Sequence, residues 1–163
     1  FGGYTQVKHA NQIIEYKVPS FNGIKQASLF IKDISNPEDR IASISRPQPA
    51  YYAERKTNSL QELVGPDNPD VTFEDFMKVL QNSSNDDIKY IIVTFSQRGH
   101  PPWMQTTQNV QGQIAIWEIP FMETIINFQT GQQKIEQSKT YGNITFTLLT
   151  IKEDAFVYSI DRE

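Results

Sequence analysis

The chain has 163 residues, 38% of them hydrophobic and 12% aromatic, which suits one domain with a sizeable core. Its 15 basic and 19 acidic residues leave a net charge of −4, which argues against a diffuse nucleic-acid footprint. Cysteine is absent, excluding disulfides, thiolate zinc sites, iron–sulfur ligation and cysteine nucleophiles, and no stretch approaches the ~20 apolar residues of a membrane span.

The cysteine count fits a cytoplasmic or virion protein as readily as a secreted one. The chain opens Phe1-Gly2-Gly3-Tyr4, without Met or a signal peptide, which marks a fragment, a processed chain or a trimmed one. Residues 1–10 show no period and read as a flexible arm, leaving 11–163 as a single β-rich domain. Asn11–Val18 and Ile24–Asp33 read as strands joined at Phe21-Asn22-Gly23, because Asn-Gly tolerates the positive φ of a tight hairpin turn. Asn36-Pro37-Glu38-Asp39 is a turn signal, and Arg40–Ser45 a short alternating strand. Arg46–Tyr52 carries Pro47 and Pro49, so it reads as extended loop or edge. Tyr51 and Tyr52 make it a candidate polyproline-like ligand for a partner, beside the plainer reading of a crossover loop tucked onto the body.

Ser59–Val64 reads as one helical turn, and Gly65–Asp70 breaks the chain. The principal helix is Thr72–Asn82. Phe73, Phe76, Met77 and Leu80 fall at i, i+3, i+4, i+7, one stripe of a 3.6-residue period. Thr72 is the natural N-cap, Glu74 and Asp75 suit the positive helix end, and Val71 can staple onto Phe76. Ile88–Ser96 follows, with the unbroken apolar run Tyr90-Ile91-Ile92-Val93. Such a run has both faces covered, so it reads as a central strand. Gln97–Gly112 reads as irregular. Gln113–Ile119 and Phe121–Phe128 read as one long strand bent at Pro120. Gln129–Lys139 is a polar loop. Asn143–Ile151 alternates Ile144, Phe146 and Leu148 against Thr145 and Thr147, and a last strand carries Phe156, Tyr158 and Ile160. The fold class expected is mainly β: an antiparallel barrel or sandwich flanked by one helix, with one face of the C-terminal third wet.

The best candidate site is the loop Ser96–Trp103, where Arg98, His100 and Trp103 follow a buried strand. Arginine forks onto carboxylate or phosphate, and tryptophan offers a stacking face. The plainer reading folds Trp103 onto the core edge. Only His9 and His100 exist and no G-x-S-x-G elbow is present, so the chain reads as not an enzyme. Asp67, Asp70, Glu74 and Asp75 have the oxygens for a hard cation, but turn formation and helix-end charge account for them. No metal or cofactor is expected. Asn82-Ser83-Ser84 and Asn143-Ile144-Thr145 match the glycosylation pattern, at a frequency chance supplies.

The order of elements resembles the tail-tube proteins of phages and the haemolysin-coregulated tube protein of type VI secretion. Ser28–Ile34 resembles the opening strand, and Arg40–Pro49 the strand running into a proline-bearing loop. Thr72–Asn82 resembles the helix flanking the barrel. Gln113–Phe128, Gln129–Gly142 and Asn143–Ile151 resemble the final long hairpin with its loop. Ser59–Asp70 stands where that family has a strand, and residues 1–26 and the last strand are extra. The resemblance implies a non-enzymatic structural protein that forms rings with further protein subunits, possessing no catalytic residues. Two alternatives stand beside it. Strands, helix, then strands also suit an OB barrel that binds single-stranded nucleic acid, although the net charge disfavours that. The other is a small-ligand-binding or hydrolytic β domain using the Arg98–Trp103 loop.

Overall fold

The computed structural model describes residues 21–44, 46–65, 71–94, 101, 103, 105–108, 114–120, 122–127 and 133–163. The arm 1–10 and the strand expected at Asn11–Val18 lie outside them. Residues 21–34 form a helix, α1, where a strand was expected at Ile24–Asp33. Its buried residues include Ile24, Ala27, Ser28 and Ile31, which is i, i+3, i+4, i+7 spacing. The polar member is accommodated because Ser28 Oγ donates to Ile24 O at 2.6 Å, within the helix itself. Asn22-Gly23 is therefore helix and not a hairpin turn. A Cβ on Gly23 would lie 2.9 Å from Lys152 O, so glycine here lets α1 approach another backbone closely.

After α1 come β1 (Arg40–Ser43), α2 (Pro47–Ala53), β2 (Thr57–Ser59), α3 (Leu60–Val64) and α4 (Phe73–Gln81). The proline segment is thus a helix and not an extended loop. Both prolines fall in its first turn, where backbone N–H groups lack helical partners anyway. Ser59 caps α3 and Thr72 caps α4, each in a capping box closed by Glu62 or Asp75. Phe76, Met77 and Leu80 are buried, as the stripe predicts.

Six strands form one open sheet in the order β2-β1-β3-β10-β9-β8, with β3 at Ile88–Thr94, β8 at Ser138–Tyr141, β9 at Ile144–Lys152 and β10 at Ala155–Arg162. β1 pairs in parallel with both β2 and β3, while β3, β10, β9 and β8 pair antiparallel. This mixed sheet corrects the expected barrel or sandwich with one principal helix. It is not closed, so the barrel behind both the tube and the OB readings is missing among the described residues. Ser28–Ile34, the opening strand of the tube resemblance, is helical. A parallel β1–β2 pair needs a crossover, and α2 is that crossover; the proline segment is a helix for this topological reason.

Helices pack on both sides of the sheet. On one side Leu60 of α3 and Phe76, Met77 and Leu80 of α4 join Ala42, Ile88, Ile91, Val93, Phe146, Phe156, Tyr158 and Ile160. On the other, Ala27 and Ile31 of α1 and Ala53 of α2 join Ile41, Ile92, Ala155 and Val157. The central-strand expectation for β3 holds: Ile91 and Val93 face one helical layer, Ile92 the other. The last strand departs from a one-face-wet reading, since Val157 is as buried as Tyr158.

A second, four-stranded antiparallel sheet runs β4 (Gln105–Gln108), β5 (Ile114–Ile119), β6 (Met122–Asn127) and β7 (Gln133–Ile135). Ile119 pairs with Met122. Pro120 therefore turns the chain between two paired strands instead of bending one long strand. β4 lies in the stretch expected to be irregular, and β7 and the start of β8 lie in the expected polar loop. The Tyr141 hydroxyl of β8 donates to Pro120 O, tying this hairpin to the edge of the main sheet.

Candidate functional site

The sequence candidates do not converge. Arg98 and His100 lie outside the described residues. Trp103 packs into the core edge: its ring centroid is 5.6 Å from Phe76, nearly parallel, and 5.4 Å from Phe73. Its stacking surface is occupied by the protein's own aromatics. Tyr51 and Tyr52 sit on α2, on the opposite side of the sheet from Trp103. Tyr51 is 77% exposed, and Tyr52 meets it edge-on at 5.1 Å with Lys25 over its ring. Of the four carboxylates weighed for a cation, Asp67 and Asp70 lie outside the described residues. Asp75 accepts from Thr72 N and Thr72 Oγ1, which holds its carboxyl below the usual range. No group of three metal-ligating side chains occurs among the described residues. Asn82 of the first glycosylation match accepts from Ser84 N and Ser84 Oγ, so its oxygen shapes the turn after α4.

The distinctive surface lies elsewhere. Among the described residues, the helices on the α1–α2 side cover β1, β3 and the first half of β10. Beyond Val157 the same side of β10, β9 and β8 carries no helix among the described residues. Register makes this surface a set of polar rows. Tyr90 faces Ser159, Ser159 faces Thr147, and Thr147 faces Ser138. The next row runs Asp161, Thr145, Thr140, with the last two hydroxyls 2.8 Å apart. Period-2 alternation produces these rows, because Phe146 and Ile160 between them point into the α3–α4 core. Alternation of Thr145 and Thr147 was visible in the sequence; their alignment with Ser159 and Tyr90 was not, since it depends on pairing between distant strands.

At the border of these rows, where α1 ends, an open cleft of about 280 Å³ is lined by Asn36, Asp39, Lys89, Tyr90, Ser159, Ile160 and Asp161. Two local features build it. Asn36 N donates to Asp39 Oδ2 at 2.8 Å, which fixes the turn after α1 and buries Asp39 to 7% exposure. Arg40 pairs with Ile88 but Ile41 with Tyr90, so Lys89 is an extra residue in β3. Such a bulge re-aims the side chain it carries. Burial, followed by the charges of Asp39 and Asp161, pushes the Tyr90 hydroxyl above the usual phenol range, with Arg55 opposing. Tyr90 therefore stays protonated and offers an O–H donor beside two carboxylates.

No family model, curated protein or solved structure matches the chain.

Proposed function

We propose that this protein is a non-enzymatic assembly module that binds a second copy of itself through the side of β8, β9 and β10 that carries no helix among the described residues. The observation that carries the reading is the row Tyr90–Ser159–Thr147–Ser138. Each hydroxyl both donates and accepts, so such a row is self-complementary. Two copies related by a two-fold axis present the same patch to each other, which is the isologous arrangement most homodimers use. The row is uncharged, so pairing escapes like-charge repulsion in a chain of net charge −4. β8 is the last strand of the main sheet among the described residues, so one of its backbone ladders has no strand partner there.

Sedimentation velocity from low to high micromolar concentration tests the reading, comparing wild type with Thr147→Glu. Thr147 is partly exposed and belongs to neither buried cluster, so the variant should fold normally. Concentration-dependent association in the wild type, lost in the variant, is expected. A strictly monomeric wild type overturns it. Tight, salt-dependent binding of a single-stranded oligonucleotide by that monomer would place the chain among nucleic-acid binders instead.

A further inference from the structure

We infer that the second copy seats its β8 against the exposed flank of α1, with Ile34 of each copy facing Ser138 of the other. This inference rests on the self-association reading and names how the two copies meet. α1 walls one side of the polar rows. At its start, a Cβ on Gly23 would lie 3.5 Å from Ala155 Cβ. Past its end, Asn36 lines a cleft with Tyr90, Ser159, Ile160 and Asp161. α1 therefore runs in the direction of β10, and Ile34 stands near the level of the row Ser159–Thr147–Ser138. The helical period sorts its flanks. Lys25 over Tyr52 and Lys32 paired with Glu54 mark the flank that meets α2. Gly23, Ala27, Phe30 and Ile34 fall at i, i+4, i+7 and i+11 on the opposite flank, and Lys152 of β9 lies over the Phe30 ring. This flank carries no charge. Phe30 is half-buried, but Ile34 is 46% exposed, an apolar side chain at the border of a surface built from hydroxyls.

Dimensions decide how a second copy fits. Two sheets packed face to face lie about 10 Å apart, and a helix with its side chains is about 10–12 Å across. A partner sheet paired row on row therefore lies level with α1. A two-fold axis across the strands would drive the partner's β3 and β10 into α1. An axis along the strands avoids that collision, because it brings the partner's β8 next to α1 and carries its β3 and β10 away. The same axis leaves levels along the strands unchanged, so Ile34 meets the level of the partner's Ser138. The contact is isologous: each copy supplies both the helix flank and the strand. Its chemistry is compatible. β8 turns Ser138 and Thr140 to this side, both exposed, while Lys139 lies over the Tyr141 ring on the other, so no like charges are brought together. Covering the end strand of a sheet with a helix is also a common way to close its open ladder.

The chain has no cysteine, so single introduced cysteines report contacts cleanly. ¹⁵N-labelled Ile34→Cys is mixed with unlabelled Ser138→Cys under mild oxidation, and Tyr51→Cys replaces Ile34→Cys in a parallel mixture. Ile34, Ser138 and Tyr51 are all exposed, so these variants keep the fold. Mass spectrometry should find the disulfide in the first mixture and not in the second. Sedimentation velocity then compares Ile34→Asp with Tyr51→Asp. The first should weaken association about tenfold or more and the second leave it unchanged. If the wild type associates and Thr147→Glu does not, unaltered association of Ile34→Asp, or equal disulfide yields in the two mixtures, overturns this docking and leaves the self-association reading in place. A strictly monomeric wild type overturns both.

Discussion

Arg40 Nη2 lies 2.6 Å from Asp87 Oδ1, joining the start of β1 to the turn that leads into β3. The same guanidinium donates to Asn58 Oδ1, Ser84 O and Asn85 Oδ1. A second arginine, Arg162 at the end of β10, donates to Leu80 O, Asn85 O and Ile88 O. Burial lowers its pKa, against the charges of Asp86 and Asp87. The turn after α4 is thus clamped from two strands. Arg40→Ala should cost about 2–4 kcal/mol, since it leaves several acceptors unpaired; Asp87 is 43% exposed on its side chain, which keeps the cost below that of a fully buried pair. Asp87→Asn retains an acceptor and should cost about 1 kcal/mol. Urea unfolding measures both, and near-equal small losses would mark the contact as an ordinary surface pair.

Gly23→Ala should destabilise the protein, against the usual gain from replacing glycine inside a helix. The new Cβ would sit 2.5 Å from Asp154 Oδ1 and 2.9 Å from Lys152 O. The carboxylate can rotate away, whereas the backbone carbonyl cannot without moving the β9–β10 turn. Overpacking of this kind costs roughly 1–3 kcal/mol. A raised melting temperature in Gly23→Ala would refute the close approach of α1.

Phe76 is fully buried and stacks on Trp103. Phe76→Ala should cost roughly 3–5 kcal/mol. A loss under about 1 kcal/mol would put the helical stripe on the wrong side. A double-mutant cycle between Phe76 and Trp103 should show a coupling of about 0.5–1.5 kcal/mol, typical of an aromatic pair. Zero coupling would release Trp103 from its packing role.

Stability should fall on the alkaline side. Burial, with the charge of Glu136 adding, pushes Tyr158 far above the usual phenol range, and Tyr90 moves the same way. For an acid whose folded pKa is raised, the unfolded chain loses its proton first. The contribution is therefore complete below the unfolded value of about 10 and is lost as pH rises beyond it, at up to about 1.4 kcal/mol per pH unit for each such group. Unfolding free energies between pH 7 and 11 should show this decline, and Tyr158→Phe should flatten it. An identical decline in the variant would assign the loss to other groups.

What the sequence determined by itself was local. The period of Phe73, Phe76, Met77 and Leu80, the cap at Thr72, the short helix after Ser59 and the apolar run of β3 all follow from neighbours within one or two turns of chain. Those signals remain true in the folded protein because tertiary packing reinforces them. The same locality misled at α1 and α2. Asn22-Gly23 has the chemistry of a hairpin turn and Pro47-Gln48-Pro49 that of an extended loop. Only the contacts with the β9–β10 turn, and the crossover that parallel β1 and β2 require, override them. The candidate surface was less legible still. Ser138, Thr147, Ser159 and Tyr90 are far apart in sequence and become one row through strand register alone. Asp39 and Asp161 line one cleft because β1 and β10 both flank β3. Such pairings are settled by which strands share a sheet and by where the covering helices stop, and no local pattern of residues encodes either.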